Sequence, residues 1–129
     1  RDAAAQASVH AATDITGFGL AGHAFEVARA SGVALRFDVG VMPLLPRVEE
    51  LVRAGHLTRG ETSNRAYVGE ALRFEGVPEA LQSVLVDPQT SGGLLLAMPL
   101  EEASQVAAAA GGVVVGRVES GPVAVTFAT

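Results

Sequence analysis

Apolar residues along the 129-residue chain fall into blocks whose spacing switches between that of a strand and that of a helix. Residues 9–13 are short and apolar and predict a strand. Over 18–30, Phe18, Ala21, Phe25 and Ala28 recur at helical spacing, and Leu20, Ala24 and Val27 add a second apolar row. A stripe that wide predicts a helix held between two surfaces. Gly32 stands where a left-handed glycine ends a helix. Val33, Leu35, Phe37 and Val39 then alternate with Arg36 and Asp38, the pattern of a strand with one buried face.

Met42-Pro43-Leu44-Leu45-Pro46 reads as a rigid connector, because proline fits neither a helix interior nor a ladder. Short helices are predicted at 47–54, in part of 61–72 with Thr62 or Ser63 as cap, and at 79–84 behind Pro78. Residues 71–74 read as a short edge strand and 94–98 as another strand. An alanine-rich helix is predicted at 101–110, opened by Pro99 and ended by Gly111-Gly112. Strands at 113–118 and 123–127 flank Glu119-Ser120-Gly121-Pro122, a hairpin-like turn. Residues 1–8 read as the tail of a preceding helix and 9–129 as a single domain. The class is α/β or α+β: one mixed, mostly antiparallel sheet of about four to five strands, with helices mainly on one face.

Composition narrows the function. Hydrophobic residues make up 49% and charged residues 18%, which predicts a packed core and not a disordered chain. Net charge is −5 and no basic cluster is visible, which argues against a nucleic-acid partner. There is no cysteine, so a disulfide, a thiolate metal site and a cysteine nucleophile are excluded within this chain. All nine basic residues are arginine, so no lysine is available for a phosphate or a Schiff base. The apolar run at 106–116 is too short for a bilayer, and no signal peptide pattern is present, so no membrane partner is expected. Residue 1 is Arg, which suggests a start inside a longer protein.

The candidate chemistry lies in two polar loops. In Thr13-Asp14-Ile15-Thr16-Gly17-Phe18-Gly19-Leu20-Ala21-Gly22-His23, the last glycines match G-x-G-x-x-G between a strand and a helix, with Asp38 on the next strand. Against a dinucleotide site stand the polar strand end, the charge of Asp14 facing a pyrophosphate, and the absence of further βαβ units downstream. A divalent cation between Asp14 and a phosphate would reverse the charge argument. The plainer alternative is that Asp14 or Thr16 caps the helix and the glycines permit close packing. The residues alone leave both open.

Asp87-Pro88-Gln89-Thr90-Ser91-Gly92-Gly93 offers a carboxylate, an amide and two hydroxyls before paired glycines. This is either an anion-binding nest or an ordinary turn. Ser63-Asn64-Arg65, with Arg59 nearby, is a phosphate candidate or a solvated helix start. His10, His23 and His56 are isolated. His23 alone stands near a candidate loop, and a packed or capping role is the plainer reading. No spacing suggests zinc, and no serine has an evident histidine for a triad.

Ala12-Thr13-Asp14-Ile15-Thr16-Gly17-Phe18-Gly19-Leu20-Ala21-Gly22-His23 and Asp87-Pro88-Gln89-Thr90-Ser91-Gly92-Gly93-Leu94-Leu95 resemble the two signature segments in the C-terminal half of the selenophosphate synthetases (selenide, water dikinases). Thr62-Ser63-Asn64-Arg65-Ala66-Tyr67 is similar to that family as well. The likeness runs in order over nearly the whole chain, and the 87–93 loop is its most specific part. The aminoimidazole ribonucleotide synthetase-like superfamily shares the fold and a looser glycine turn.

The resemblance implies the C-terminal α/β domain of that fold at 9–129, with the N-terminal ATP-binding domain absent from this chain. It implies that ATP, selenide and water give selenophosphate, AMP and orthophosphate in a cytoplasmic enzyme that forms a homodimer through the N-terminal half. The catalytic Cys (or selenocysteine) and Lys belong to that half, so no catalytic residue is expected here and the isolated chain is expected to be inactive. By the resemblance, Asp14 is a ligand of Mg2+. Thr16, Gly17, Gly19, Asn64, Thr90 and Ser91 line the ATP site. One departure is Ile15, where valine is expected. Two further readings remain compatible with the residues: another ATP-dependent synthetase or kinase of the superfamily, and a stand-alone ligand-binding regulatory module.

Overall fold

The computed structural model describes residues 7–129. The helical tail expected at 1–8 falls almost wholly outside them. The elements in order are β1 (Ala11–Asp14), α1 (Gly19–Ser31), β2 (Ala34–Asp38), α2 (Val48–Arg53), α3 (Gly60–Val68), β3 (Leu72–Glu75), α4 (Glu79–Val86), β4 (Leu94–Ala97), α5 (Leu100–Ala110), β5 (Gly116–Glu119) and β6 (Ala124–Ala128). Single 3-10 turns follow β2 at Val39–Val41 and α3 at Gly69–Ala71.

The α/β class expected from the pattern holds, but the strands form two sheets and not one. β1 and β4 pair antiparallel as a two-stranded sheet, and the other four run in the order β3-β6-β2-β5. β2 is antiparallel to β5 and parallel to β6, and β3 is parallel to β6. α1 packs against strands of both sheets, β1 in one and β2 and β6 in the other. Ala21, Ala24 and Ala28 are fully buried on one stripe of α1, where their small side chains allow close approach. Gly32, at φ 66°, ends α1 as expected and turns the chain into β2.

The hairpin expected at 119–122 is not formed. β5 and β6 lie on opposite sides of β2. Ala124, Val125, Thr126 and Phe127 are all buried, so β6 needs neighbours on both edges, whereas Gly116, Arg117 and Val118 are exposed and suit an edge. β3 takes the other edge, as its short polar-apolar pattern predicts. On the inner face Phe37 and Phe74 flank Phe127 in register, with ring centroids 5.1 and 5.7 Å away. Such offset stacks contribute about 0.5–1.5 kcal/mol each beyond burial.

α3 starts at Gly60 with Arg59 at the cap position and no side-chain cap bond. Thr62 and Ser63 are therefore inside the helix and do not cap it. Docking fixes the start: a Cβ on Gly60 would lie 2.2 Å from Pro88 Cγ. α5 has no fully buried residue, and its Ala103, Val106 and Ala107 side faces an apolar hollow of about 680 Å³ shared with β4.

Candidate functional site

Asp14 is the last residue of β1 and pairs with Leu94, the first residue of β4. The glycine turn therefore leaves the two-stranded sheet where the 87–93 loop enters it. The ladder then continues beyond the strands. Ile15 N–H donates to Gly93 O at 2.9 Å, Gly92 N–H to Ile15 O at 3.0 Å, and Gln89 N–H to Thr16 O at 2.9 Å. The two loops are joined main chain to main chain.

Two glycines make that approach possible. Gly19 has φ 65°, and a Cβ there would lie 2.7 Å from Asp87 O and 2.8 Å from Val86 O. A Cβ on Gly92 would lie 2.5 Å from Ile15 O. Gly17 and Gly93 have nothing within 4 Å of such a Cβ. The glycines of the G-x-G-x-x-G match thus serve loop packing in part. Asp38, the fourth element of that match, accepts the Gly40 N–H at 2.9 Å and caps the 3-10 turn. Its strand belongs to the other sheet, so the dinucleotide arrangement is not built.

The side chains divide into held and uncommitted groups. Asp14 is exposed, and its carboxylate has no hydrogen bond or ion pair among the described residues. It does not cap α1. The cap position is Phe18, with no side-chain cap bond. Thr16 does not cap either; its Oγ1 lies 3.0 Å from His23 Nε2. His23 leans on the Phe18 ring at 5.5 Å, and Phe18 stacks on Tyr67 at 5.1 Å. Thr90 and Ser91 are exposed at the tip of the second loop. Asp87 is engaged, accepting from Thr58 Oγ1 at 2.7 Å.

Asn64 is only 5% exposed. It stands behind the loops, donating from Nδ2 to Gly17 O at 3.0 Å and to Val86 O at 2.9 Å. Its neighbour Arg65 turns away from both loops. It pairs with Glu61 at 2.9 Å and covers the Phe74 ring at 5.5 Å. The Ser63-Asn64-Arg65 cluster is therefore not a joint phosphate grip. His10 and His56 stay outside the joined loops; His10 N–H bonds Ala97 O at the far end of the two-stranded sheet. Nothing in the spacing points to Thr58 or to Gly60, because each acts on a loop more than twenty residues away.

Among the described residues, no three or more His, Cys, Asp or Glu side chains converge. The donor set fits a Mg2+ that takes one oxygen from Asp14 and the rest from phosphate, water or another domain. It does not fit a self-contained metal cage. Nor is any helix among the described residues long and apolar enough to cross a membrane.

An α/β domain with a glycine turn and a second polar loop locked together defines a class of domain, and comparison names it. Residues 1–127 match the AIR synthase related protein, C-terminal domain, and the chain belongs to that family. It is 47% identical over 106 residues to the selenide, water dikinase of Burkholderia pseudomallei, covering 81% of this chain and 30% of that protein. It is 44% identical over 96 residues to that of Treponema denticola, covering 74% and 27%. It is 42% identical over 100 residues to selenide, water dikinase 2 of Peptoclostridium acidaminophilum, covering 78% and 29%. The chain spans less than a third of the length of these relatives.

Proposed function

We propose that this chain serves as the C-terminal domain of a selenide, water dikinase, in which ATP, selenide and water give selenophosphate, AMP and orthophosphate. The observation that carries the site assignment is Asp14: an exposed carboxylate, uncommitted to capping, fixed on a doubly anchored strand end. In this reading Asp14 supplies one oxygen ligand to Mg2+. The ion, when bound, would neutralise charge on the ATP phosphates during transfer. Thr16, held by His23, and the exposed Thr90 and Ser91 offer hydroxyls to phosphate oxygens from the two loops. Gly17 and Gly19 bring the start of α1 to the same place, where helix N–H groups favour an anion. Asn64 belongs to this site from its buried side.

The catalytic Cys or selenocysteine and the Lys come from the N-terminal domain of the longer polypeptide, which also forms the homodimer in the cytoplasm. The chain's own inventory supports that division, since it has neither residue type.

The test is Asp14→Asn in the full-length polypeptide, assayed for selenide-dependent AMP release at varied Mg2+. Turnover is expected to fall on the order of 100-fold, the scale of losing one preorganised electrostatic contact. The melting temperature should stay close to that of the parent, because no side-chain partner is lost. Near-normal turnover would return Asp14 to a purely structural strand end.

A further inference from the structure

We infer that Asn64 is a positioning residue: it fixes the Asp14 turn and the 87–93 loop in one frame, so that groups from both address the same ligand. The inference rests on the reading of the two loops as one site.

Three observations carry it. Asn64 sits within α3, where asparagine is a poor helix former, so local preference does not explain its presence. It is buried between α3 and the loops, where an unpartnered amide would be costly. Its two N–H groups reach carbonyls that are far apart in sequence: Gly17 O, in the turn after Asp14, and Val86 O, at the last residue of α4 before the second loop. Val86 O is also one of the atoms against which Gly19 must pack. One amide thus holds both sides of the seam that the main-chain bonds of Ile15, Gln89 and Gly92 close.

The bond to Gly17 O has a directional consequence. In a trans peptide the C=O and the following N–H point opposite ways. Drawing the Gly17 carbonyl inward therefore turns the Phe18 N–H outward, at the cap position of α1. Asn64 aims a donor it does not itself carry.

Asn64→Asp is the direct test in the full chain, because it keeps the shape and removes both donors. Amide hydrogen exchange read by NMR separates positioning from packing. The Gln89 and Gly92 N–H groups should lose protection roughly tenfold or more, as local opening becomes easier. The amides of Phe37, Val125 and Phe127 should keep theirs. Lowering the pH until the new carboxyl protonates restores one donor, and protection of the Gln89 and Gly92 amides should partly return.

Unchanged protection of Gln89 and Gly92 overturns the inference. So does a uniform loss across the whole chain, which would mark Asn64 as a packing residue. Should the aspartate variant fail to fold, Asn64→Ser, with one donor on a shorter stem, is read by the same amides and the same criteria. Turnover distinguishes the two levels. If Asp14→Asn proves active in the full-length polypeptide, the Mg2+ reading falls while the exchange result stands. If the loops stay protected in Asn64→Asp, the positioning role falls whatever the turnover.

Discussion

Asp14 is held through its backbone and left free at its side chain. The β1–β4 pairing and the Ile15 bond to Gly93 fix where it stands, and no donor among the described residues occupies its carboxylate. The glycines beside it are not equivalent, which gives a residue-scale prediction. Gly92→Ala places a methyl against Ile15 O and should cost about 1–3 kcal/mol, as overpacking does. Gly93→Ala meets open space and should change stability by about 0.5 kcal/mol or less. Urea unfolding of both variants checks it; equal midpoints would mean that the seam is looser than described. The sequence alone marks both positions only as Gly-Gly. Which one faces a carbonyl depends on where Ile15, in the earlier loop, lies, and no local pattern encodes that. Asp14 itself was legible, by its place between a strand and a glycine turn. Its freedom from capping was not, because a short polar side chain before a helix serves either role.

At the scale of elements, periodicity located every helix and strand among the described residues within a few positions. It did not pair the strands. A turn of Gly121-Pro122 between two apolar runs predicts a hairpin, yet burial on both faces takes β6 to the centre of its sheet. On the polar face of that sheet Arg36 and Glu75 form an ion pair that reaches across β6. The bond from Arg36 holds the Glu75 carboxyl below its ordinary value of 4.5. A carboxylate favoured in the folded state stabilises above its unfolded value, and that contribution is lost as pH falls through the lowered one. The stability difference between the parent and Glu75→Gln should therefore be largest near neutrality and shrink as pH drops below the usual glutamate range. Denaturant midpoints at several pH values measure it. A difference that is constant with pH would show that the pair contributes nothing through charge, as many surface pairs do.

For the molecule as a whole, family membership was legible from two loops, but their joining required the fold. Neither loop identifies a ligand alone. Together they present one free carboxylate, exposed hydroxyls and the start of a thirteen-residue helix on one side of the domain. The chain nonetheless holds no lysine and no cysteine, and spans only about a third or less of the relatives it matches. The purified chain, given ATP, selenide and Mg2+, is expected to release no AMP above background. Clear selenide-dependent release would show that a complete site resides here and would overturn the division of labour proposed above.

Surface loops ordinarily gain and lose residues freely during descent. These two cannot. The bonds from Ile15, Gln89 and Gly92 tie fixed positions in one loop to fixed positions in the other, and Asn64 ties both from below. An insertion between two tied positions would have to loop out at the exposed tip or break a rung. The pair is therefore a single mechanical unit written in two places in the sequence.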